Sequence, residues 1–302
     1  VDILQAIVLG IVQGITEFLP VSSSGHLVLV PSLLGWPRFG LGFDVMLHVG
    51  TLFAIAIYFW KDIVRLAKAL FSRGPGCAGD RRLAWLIIAA TVPSMIIALA
   101  LEPFVGGVEM RPVEQQIVIS AWGLLGTAVL LGGSEVFVRL YSAKSGDAGA
   151  DDAASKGGSP GKGLGAGDAS DVGAESLSWE KALMVGLAQG VAALPGVSRA
   201  GSTIAAGQAV GMRRDEAGRF SFLLSIPIVL AATAKHCLDI IVGKDVLPSA
   251  GVIIAGVATT TAVGYLAIRL LLPFIKKHSL WWFVAYTAMV GVVLLLVYHG
   301  AF

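Results

Sequence analysis

The chain has 302 residues, 56% hydrophobic and 14% charged, and a formal net charge of +2 from 22 basic and 20 acidic residues; its mean hydropathy is +0.80. An ordinary soluble domain carries about 25% charged residues, so this composition excludes a soluble globule, and the near-neutral balance excludes a nucleic-acid footprint. Two isolated cysteines, Cys77 and Cys237, exclude a disulfide framework and a thiolate metal site.

The first apolar stretch, Ile3 to Leu34, is broken by Pro20-Val21-Ser22-Ser23-Ser24-Gly25-His26. Neither half reaches the roughly 20 residues a bilayer span needs, and exposed non-helical backbone is not tolerated in lipid. A re-entrant pair of half-helices, with the break lining a polar cavity at mid-depth, meets both constraints. The segment has no basic n-region and no A-x-A-like site, so it is expected to be mature structure rather than a signal peptide.

Six uninterrupted spans are expected: Phe43 to Trp60, Leu83 to Leu101, Val113 to Val138, Phe220 to Val242, Ser249 to Leu272 and Leu280 to Tyr298. Between the third and the fourth lie two other features. Ser142 to Ser178, rich in Gly, Ala, Ser, Asp and Lys, reads as a disordered cytoplasmic linker, because it has too little apolar surface to offset ordering entropy. Ala182 to Val210 is a second broken stretch, interrupted by Pro195-Gly196-Val197-Ser198-Arg199-Ala200-Gly201-Ser202-Thr203.

Basic residues set the orientation. Lys61, Arg65, Lys68, Arg73, Arg81 and Arg82 mark the loop after the first span as inside, whereas Glu102 to Pro112, with one Arg, is outside. Alternation then brings Arg213, Arg214, Arg219, Arg269, Lys276 and Lys277 inside, and the loop at Lys244 and Asp245 outside.

The two broken stretches are copies of one pattern. Leu9-Gly10-Ile11-Val12-Gln13-Gly14-Ile15 aligns with Val185-Gly186-Leu187-Ala188-Gln189-Gly190-Val191, and Phe43-Asp44-Val45-Met46-Leu47 with Phe220-Ser221-Phe222-Leu223-Leu224. Three spans separate the copies, an odd number, so the second half is expected upside down. The expected organisation is a first repeat over 1–140, a linker over 141–178 and a second repeat over 179–302. The fold class is an all-α integral membrane protein: six transmembrane helices and two re-entrant pairs in an inverted-topology repeat, with the site at mid-membrane between the breaks.

Ionisable groups at membrane depth are costly and mark function. Here they are Glu17, His26, Asp44, His48 and Arg199. Gln13 and Glu17 share one helix face at i and i+4, as do Asp44 and His48. Ser22, Ser23, Ser24 and, in the second break, Ser198, Ser202 and Thr203 supply more hydroxyls than N-capping requires. With the helix N-termini and the Arg199 guanidinium they form a candidate phosphate site. A carboxylate beside a phosphate calls for a bridging divalent cation, for a role as general base, or for both. Oxygen donors suit Mg²⁺ or Ca²⁺, with Glu17 as the metal ligand.

Glu17-Phe18-Leu19-Pro20-Val21-Ser22-Ser23-Ser24-Gly25-His26 together with Pro195 to Thr203 resembles the undecaprenyl-diphosphate phosphatase family, the bacitracin resistance proteins, over nearly the whole chain apart from the linker. The resemblance implies a plasma-membrane hydrolase that opens to the extracytoplasmic side. It would release phosphate from the C55 polyprenyl diphosphate and so recycle the cell-wall lipid carrier. It implies Glu17, Ser23, His26 and Arg199 as catalytic: Ser23 as nucleophile or phosphate ligand, His26 in proton transfer and Arg199 as clamp. Gln13, Ser22, Ser24, Ser198, Ser202 and Thr203 would contact substrate, with Asp44 and His48 behind them. Gln13 stands where many members have Glu, and Ala200 where Ser is usual. Type-2 phosphatidic acid phosphatases share the Ser-Gly-His and Ser-Arg fragments but need a histidine soon after Ser-Arg; none occurs between Arg199 and His236.

Two chemical routes fit these residues: attack by Ser23 with His26 or Glu17 taking the proton, or attack by a water with Glu17 as base. The alternative function is a polyprenyl-phosphate flippase of the same fold. The expected partners are the lipid substrate, membrane lipid and a second copy in a homodimer, with no nucleic acid.

Overall fold

The computed structural model describes residues 2–37, 40–72, 74–155, 177–242 and 247–298. The described residues are helical, without strands. In chain order the α-helices are α1 (Ile3–Thr16), α2 (Ser23–Leu33), α3 (Leu41–Tyr58), α4 (Trp60–Phe71), α5 (Ala78–Glu109), α6 (Val113–Ser155), α7 (Trp179–Val191), α8 (Arg199–Ala209), α9 (Arg214–Ile241), α10 (Ala250–Lys277) and α11 (Trp281–Tyr298).

Helix lengths separate two classes. α1, α2, α7 and α8 have 14, 11, 13 and 11 residues, or about 17 to 21 Å at 1.5 Å per residue, well short of a hydrocarbon core about 30 Å thick. Five segments, Pro75–Val108, Val113–Tyr141, Arg214–Asp239, Ala250–Lys277 and Trp281–Tyr298, are long and apolar enough to cross a membrane. The remaining expected span, Phe43 to Trp60, is α3, which forms with α4 a pair bent by 80°. The break falls at Phe59, and α4 beyond it is amphipathic, burying Leu66 and Ala69 while Lys61, Arg65 and Lys68 stay exposed.

α6 continues to Ser155, into the stretch expected to be linker. Residues 156–176 of that linker lie outside the described residues, as do Arg73, Lys244 and Asp245.

The short helices are wedged between long ones by close backbone approach. α1 lies on α10, where a Cβ on Gly10 would stand 2.8 Å from the Gly256 carbonyl oxygen, and Thr260 Oγ1 donates to the Gly10 carbonyl at 3.2 Å. α7 lies on α5 in the same manner: a Cβ on Gly186 would come within 2.1 Å of the Ala90 carbonyl oxygen, and Ser94 Oγ donates to the Gly186 carbonyl at 2.7 Å. Small residues allow such seams where lipid supplies no hydrophobic drive for helix association.

Two interactions join the halves further. Phe18, fully buried, packs edge-to-face on Phe222 of α9 with centroids 5.5 Å apart, which holds the neighbouring Glu17 in place. Midway along α6, the fully buried Glu135 accepts from Nε and Nη2 of Arg214, each at 2.9 Å, and from the Leu280 backbone N–H at 3.1 Å. Three of the basic residues expected on the inside are paired: Arg214 with Glu135, Arg213 with Asp215, and Arg219 with Asp62.

Candidate active site between the two broken helices

Both breaks end in an N-capping serine. Ser22 Oγ accepts from the Gly25 N–H at 3.4 Å and Ser198 Oγ from the Gly201 N–H at 3.0 Å. The first residues of the two helices that follow, Ser23 of α2 and Arg199 of α8, line one cavity of about 400 Å³. Two helix N-termini, each with unpaired N–H groups and a positive dipole end, are thus brought to an anion-sized space.

The second loop is pressed against α6 and the first loop. Gly196 has φ 80°, and a Cβ there would sit 2.3 Å from the Ser120 carbonyl oxygen. Ser198 N–H donates to Thr127 Oγ1 at 2.9 Å, and Gly196 N–H donates to Ser24 Oγ at 3.3 Å. The last contact ties one break directly to the other.

Glu17 is the centre of the site, buried at 7% exposure. Arg199 Nη2 donates to its Oε1 at 2.6 Å, and Ser23 Oγ donates to its Oε2 at 2.5 Å. Gln13 Nε2 donates to the same Oε2 at 3.2 Å, and His48 Nε2 stands 3.6 Å away. Arg199 keeps Nη1 buried with no hydrogen-bond partner, so its guanidinium has capacity left for an incoming acceptor. A hydroxyl donating to a carboxylate at 2.5 Å is poised to lose its proton, and the guanidinium beside it suits a phosphate.

The expected site residues divide by position. Glu17, Ser23, Ser24, Ser198, Arg199, Asp44 and His48 line the cavity, whereas Gln13 stands behind Glu17. Ser22 is taken up by capping. Thr203 is buried facing α9: its Oγ1 donates to the Arg199 carbonyl at 2.8 Å and accepts from Ser221 Oγ at 2.5 Å. Ser202 is buried with no partner on Oγ, and neither residue lines the cavity. His26 also lies outside the lining. Its Nδ1 donates to the Ser22 carbonyl at 2.7 Å, and its Nε2 meets the Tyr286 hydroxyl at 2.7 Å. The histidine next to the carboxylate is His48.

Sequence reasoning passed over several groups, among them Thr16, Gln116, Ser120, Thr233 and His236 on the cavity wall and the three described next. Ser94 and Gln189 both line the cavity, and Gln189 Nε2 donates to Ser94 Oγ at 3.1 Å. Gln189 is the repeat counterpart of Gln13, and that alignment was the available signal. Tyr286 carries no signal, being one aromatic among many in a lipid-facing helix.

A hard divalent cation can be tested against the donors. Glu17 and Asp44 are the carboxylates on the wall, and among the described residues no three His, Cys, Asp or Glu side chains converge. Both Glu17 oxygens already accept from protein donors. An ion here fits only if the substrate's own phosphate oxygens and waters complete its shell, the usual habit of Mg²⁺.

A family model described as bacitracin resistance protein BacA matches residues 6–293. The chain is 38% identical over 305 residues to the undecaprenyl-diphosphatase of Methanosphaera stadtmanae, covering 97% of this chain and 96% of that one. It is 36% identical over 301 residues to undecaprenyl-diphosphatase 2 of Stutzerimonas stutzeri, covering 99% of both. To the undecaprenyl-diphosphatase of Desulforudis audaxviator it is 38% identical over 294 residues, covering 97% of both.

Proposed function

The chain belongs to the bacitracin resistance protein BacA family, and from that premise we propose how its site hydrolyses undecaprenyl diphosphate to the monophosphate and phosphate. It is an enzyme, an undecaprenyl-diphosphatase, and a multi-pass membrane protein. One observation carries the mechanism: a serine from one broken helix and an arginine from the other converge on a single buried carboxylate at the cavity wall.

On substrate entry Arg199 turns from Glu17 to the terminal phosphate, aided by the N–H groups that open α2 and α8. Ser23 Oγ attacks the terminal phosphorus and passes its proton to Glu17. The bond from that phosphorus to the bridging oxygen breaks, and the polyprenyl monophosphate leaves with the electron pair. Its low basicity means that the leaving group needs little protonation. Glu17 first gives up the Ser23 proton by way of His48 to bulk water; the ionised carboxylate then takes a proton from the water that attacks the phosphoserine and returns it to the departing Ser23 oxygen, so that phosphate is released and Ser23 is restored. His48 stands beside Glu17 at the open side of the cavity and carries the proton onward. A divalent ion held by Glu17, Asp44 and phosphate oxygens would offset charge on the leaving group.

Trapping a phosphoserine at Ser23 during turnover would support this route, and a Ser23→Ala variant with near-normal phosphate release would overturn it. A flippase needs the clamp but not a hydroxyl donating to a carboxylate, and that pair favours hydrolysis.

We further infer that the two halves form an inverted repeat with two re-entrant pairs. The supporting observation is exchange packing: α1 of the first half rests on α10 of the second, and α7 of the second rests on α5 of the first. The basic-loop pattern supports a cavity that opens to the extracytoplasmic side. Cysteine accessibility to an impermeant thiol reagent, with single cysteines at Gln116 and at Lys277, tests the orientation. Labelling of Gln116→Cys from outside and of Lys277→Cys only after permeabilisation is the expected result.

A further inference from the structure

His26 and Tyr286 do not touch the cavity, yet they bear on the residue that aims the nucleophile. Ser22, next to Ser23, has φ 70° and ψ 99°. Among the described residues it is the only non-glycine with positive φ, and a conformation of this kind persists only where surrounding contacts over-determine it. Its carbonyl should accept the first helical hydrogen bond of α2, but the His26 N–H reaches it only at 3.4 Å. The His26 imidazole replaces that weak bond, with Nδ1 donating to the same carbonyl at 2.7 Å.

The partner of Nδ1 fixes the tautomer. A carbonyl can only accept, so Nδ1 carries the proton, and the neutral ring's Nε2 is then an acceptor. The Tyr286 hydroxyl donates to it at 2.7 Å, with the two rings 8° from parallel. The Ser22 carbonyl thus sets the tautomer, Tyr286 anchors the ring by its other nitrogen, and the Ser22 backbone directs the Ser23 hydroxyl at Glu17.

We propose that His26 and Tyr286 are positioning residues that clamp the left-handed Ser22 backbone and so hold Ser23 on Glu17, and that His26 does not transfer the reaction's proton. The proposal rests on the Ser23 nucleophile reading for its kinetic consequence but not for its geometry. A clamp of this kind acts on kcat, because it sets an attack geometry that matters only as the transition state forms.

The test compares His26→Asn, His26→Ala and Tyr286→Phe in phosphate release from polyprenyl diphosphate in detergent. An asparagine Nδ2 can donate to the Ser22 carbonyl as Nδ1 does, but it cannot accept or relay a proton at neutral pH. The clamp predicts that His26→Asn keeps kcat within about tenfold of wild type with the pH profile unchanged in shape, whereas His26→Ala loses about a hundredfold. Tyr286→Phe should lower kcat several-fold and leave KM unchanged. His26→Asn as inactive as His26→Ala, with one limb of the pH profile gone, would overturn the proposal in favour of proton transfer by His26. Tyr286→Phe identical to wild type would remove the tyrosine from it.

A second readout is independent of turnover. Imidazole ¹⁵N resonances of His26 should report a neutral ring protonated at Nδ1, with Nε2 moving in Tyr286→Phe. A ring protonated at Nε2 would overturn the clamp. If wild type releases no phosphate while the ¹⁵N spectra are as expected, the phosphatase mechanism fails and the clamp stands.

Discussion

Removing the Arg199 side chain should separate stability from catalysis. Arg199 is 14% and Glu17 7% exposed in their side chains, and the pair closes at 2.6 Å. Breaking a buried pair from one side costs about 3–5 kcal/mol, because the remaining charge is stranded. Here Ser23 and Gln13 still donate to the carboxylate, so the lower end, about 3 kcal/mol, is expected for Arg199→Ala. At 2–4 °C per kcal/mol that is a drop of roughly 10 °C in melting temperature. Phosphate release should fall at least about a hundredfold, as for loss of a charge-stabilising donor. The informative comparison is Arg199→Ala combined with Glu17→Gln. No charge is then stranded, so the double variant should regain most of the melting temperature while remaining inactive. Thermal unfolding in detergent followed by intrinsic fluorescence, with phosphate release on the same samples, measures both quantities. The reasoning is refuted if Arg199→Ala melts within about 2 °C of wild type, or if the double variant melts lower than the single one.

Three further outcomes follow from distances already given. Gly196→Ala should abolish activity and lower stability by at least about 2 kcal/mol, since a Cβ there meets the Ser120 carbonyl oxygen at 2.3 Å and φ is 80°; Gly126→Ala, with nothing within 4 Å, is the control that should melt like wild type. Glu135→Gln should cost about 2–3 kcal/mol by melting temperature, because it leaves the half-exposed Arg214 without its bidentate partner, yet keep turnover per folded molecule, Glu135 being absent from the cavity wall. Gln13→Glu would place a second carboxylate against Glu17 in a fully buried position. Activity without added Mg²⁺ or Ca²⁺ should then fall at least tenfold and recover as the ion is titrated; an unchanged ion dependence counts against a cation at Glu17.

The parts of this architecture governed by short-range rules were readable from the sequence. Span length, proline and serine breaks and the doubled Gly-x-x-Gln-Gly pattern separated the helices long enough to cross a membrane from the short ones. The two breaks also pointed to Glu17, Ser23 and Arg199, which the structure brings within hydrogen-bond reach of one another. What escaped depended on side-chain direction or on distant partners. His26 reaches back one turn rather than into the cavity because Tyr286, 260 residues away, supplies its other hydrogen bond. Glu135 lies near the end of an apolar run and reads as an interfacial charge; only the packing of Arg214 and Leu280 around it makes it a buried hub. The bend at Phe59 was hidden because Trp60 ended the apolar run, although Ile63, Leu66 and Leu70 carry a helical period into the charged segment.

The seams of α1 on α10 and of α7 on α5 make the candidate site a property of neither half. Glu17 is delivered by a short helix seated on the far end of the chain, and Arg199 follows one seated on the near end. The described contacts that build the site lie on either side of the stretch between Ser155 and Leu177, so two co-expressed fragments divided there should reassemble a working enzyme. Either fragment alone would hold a carboxylate without its arginine or an arginine without its carboxylate.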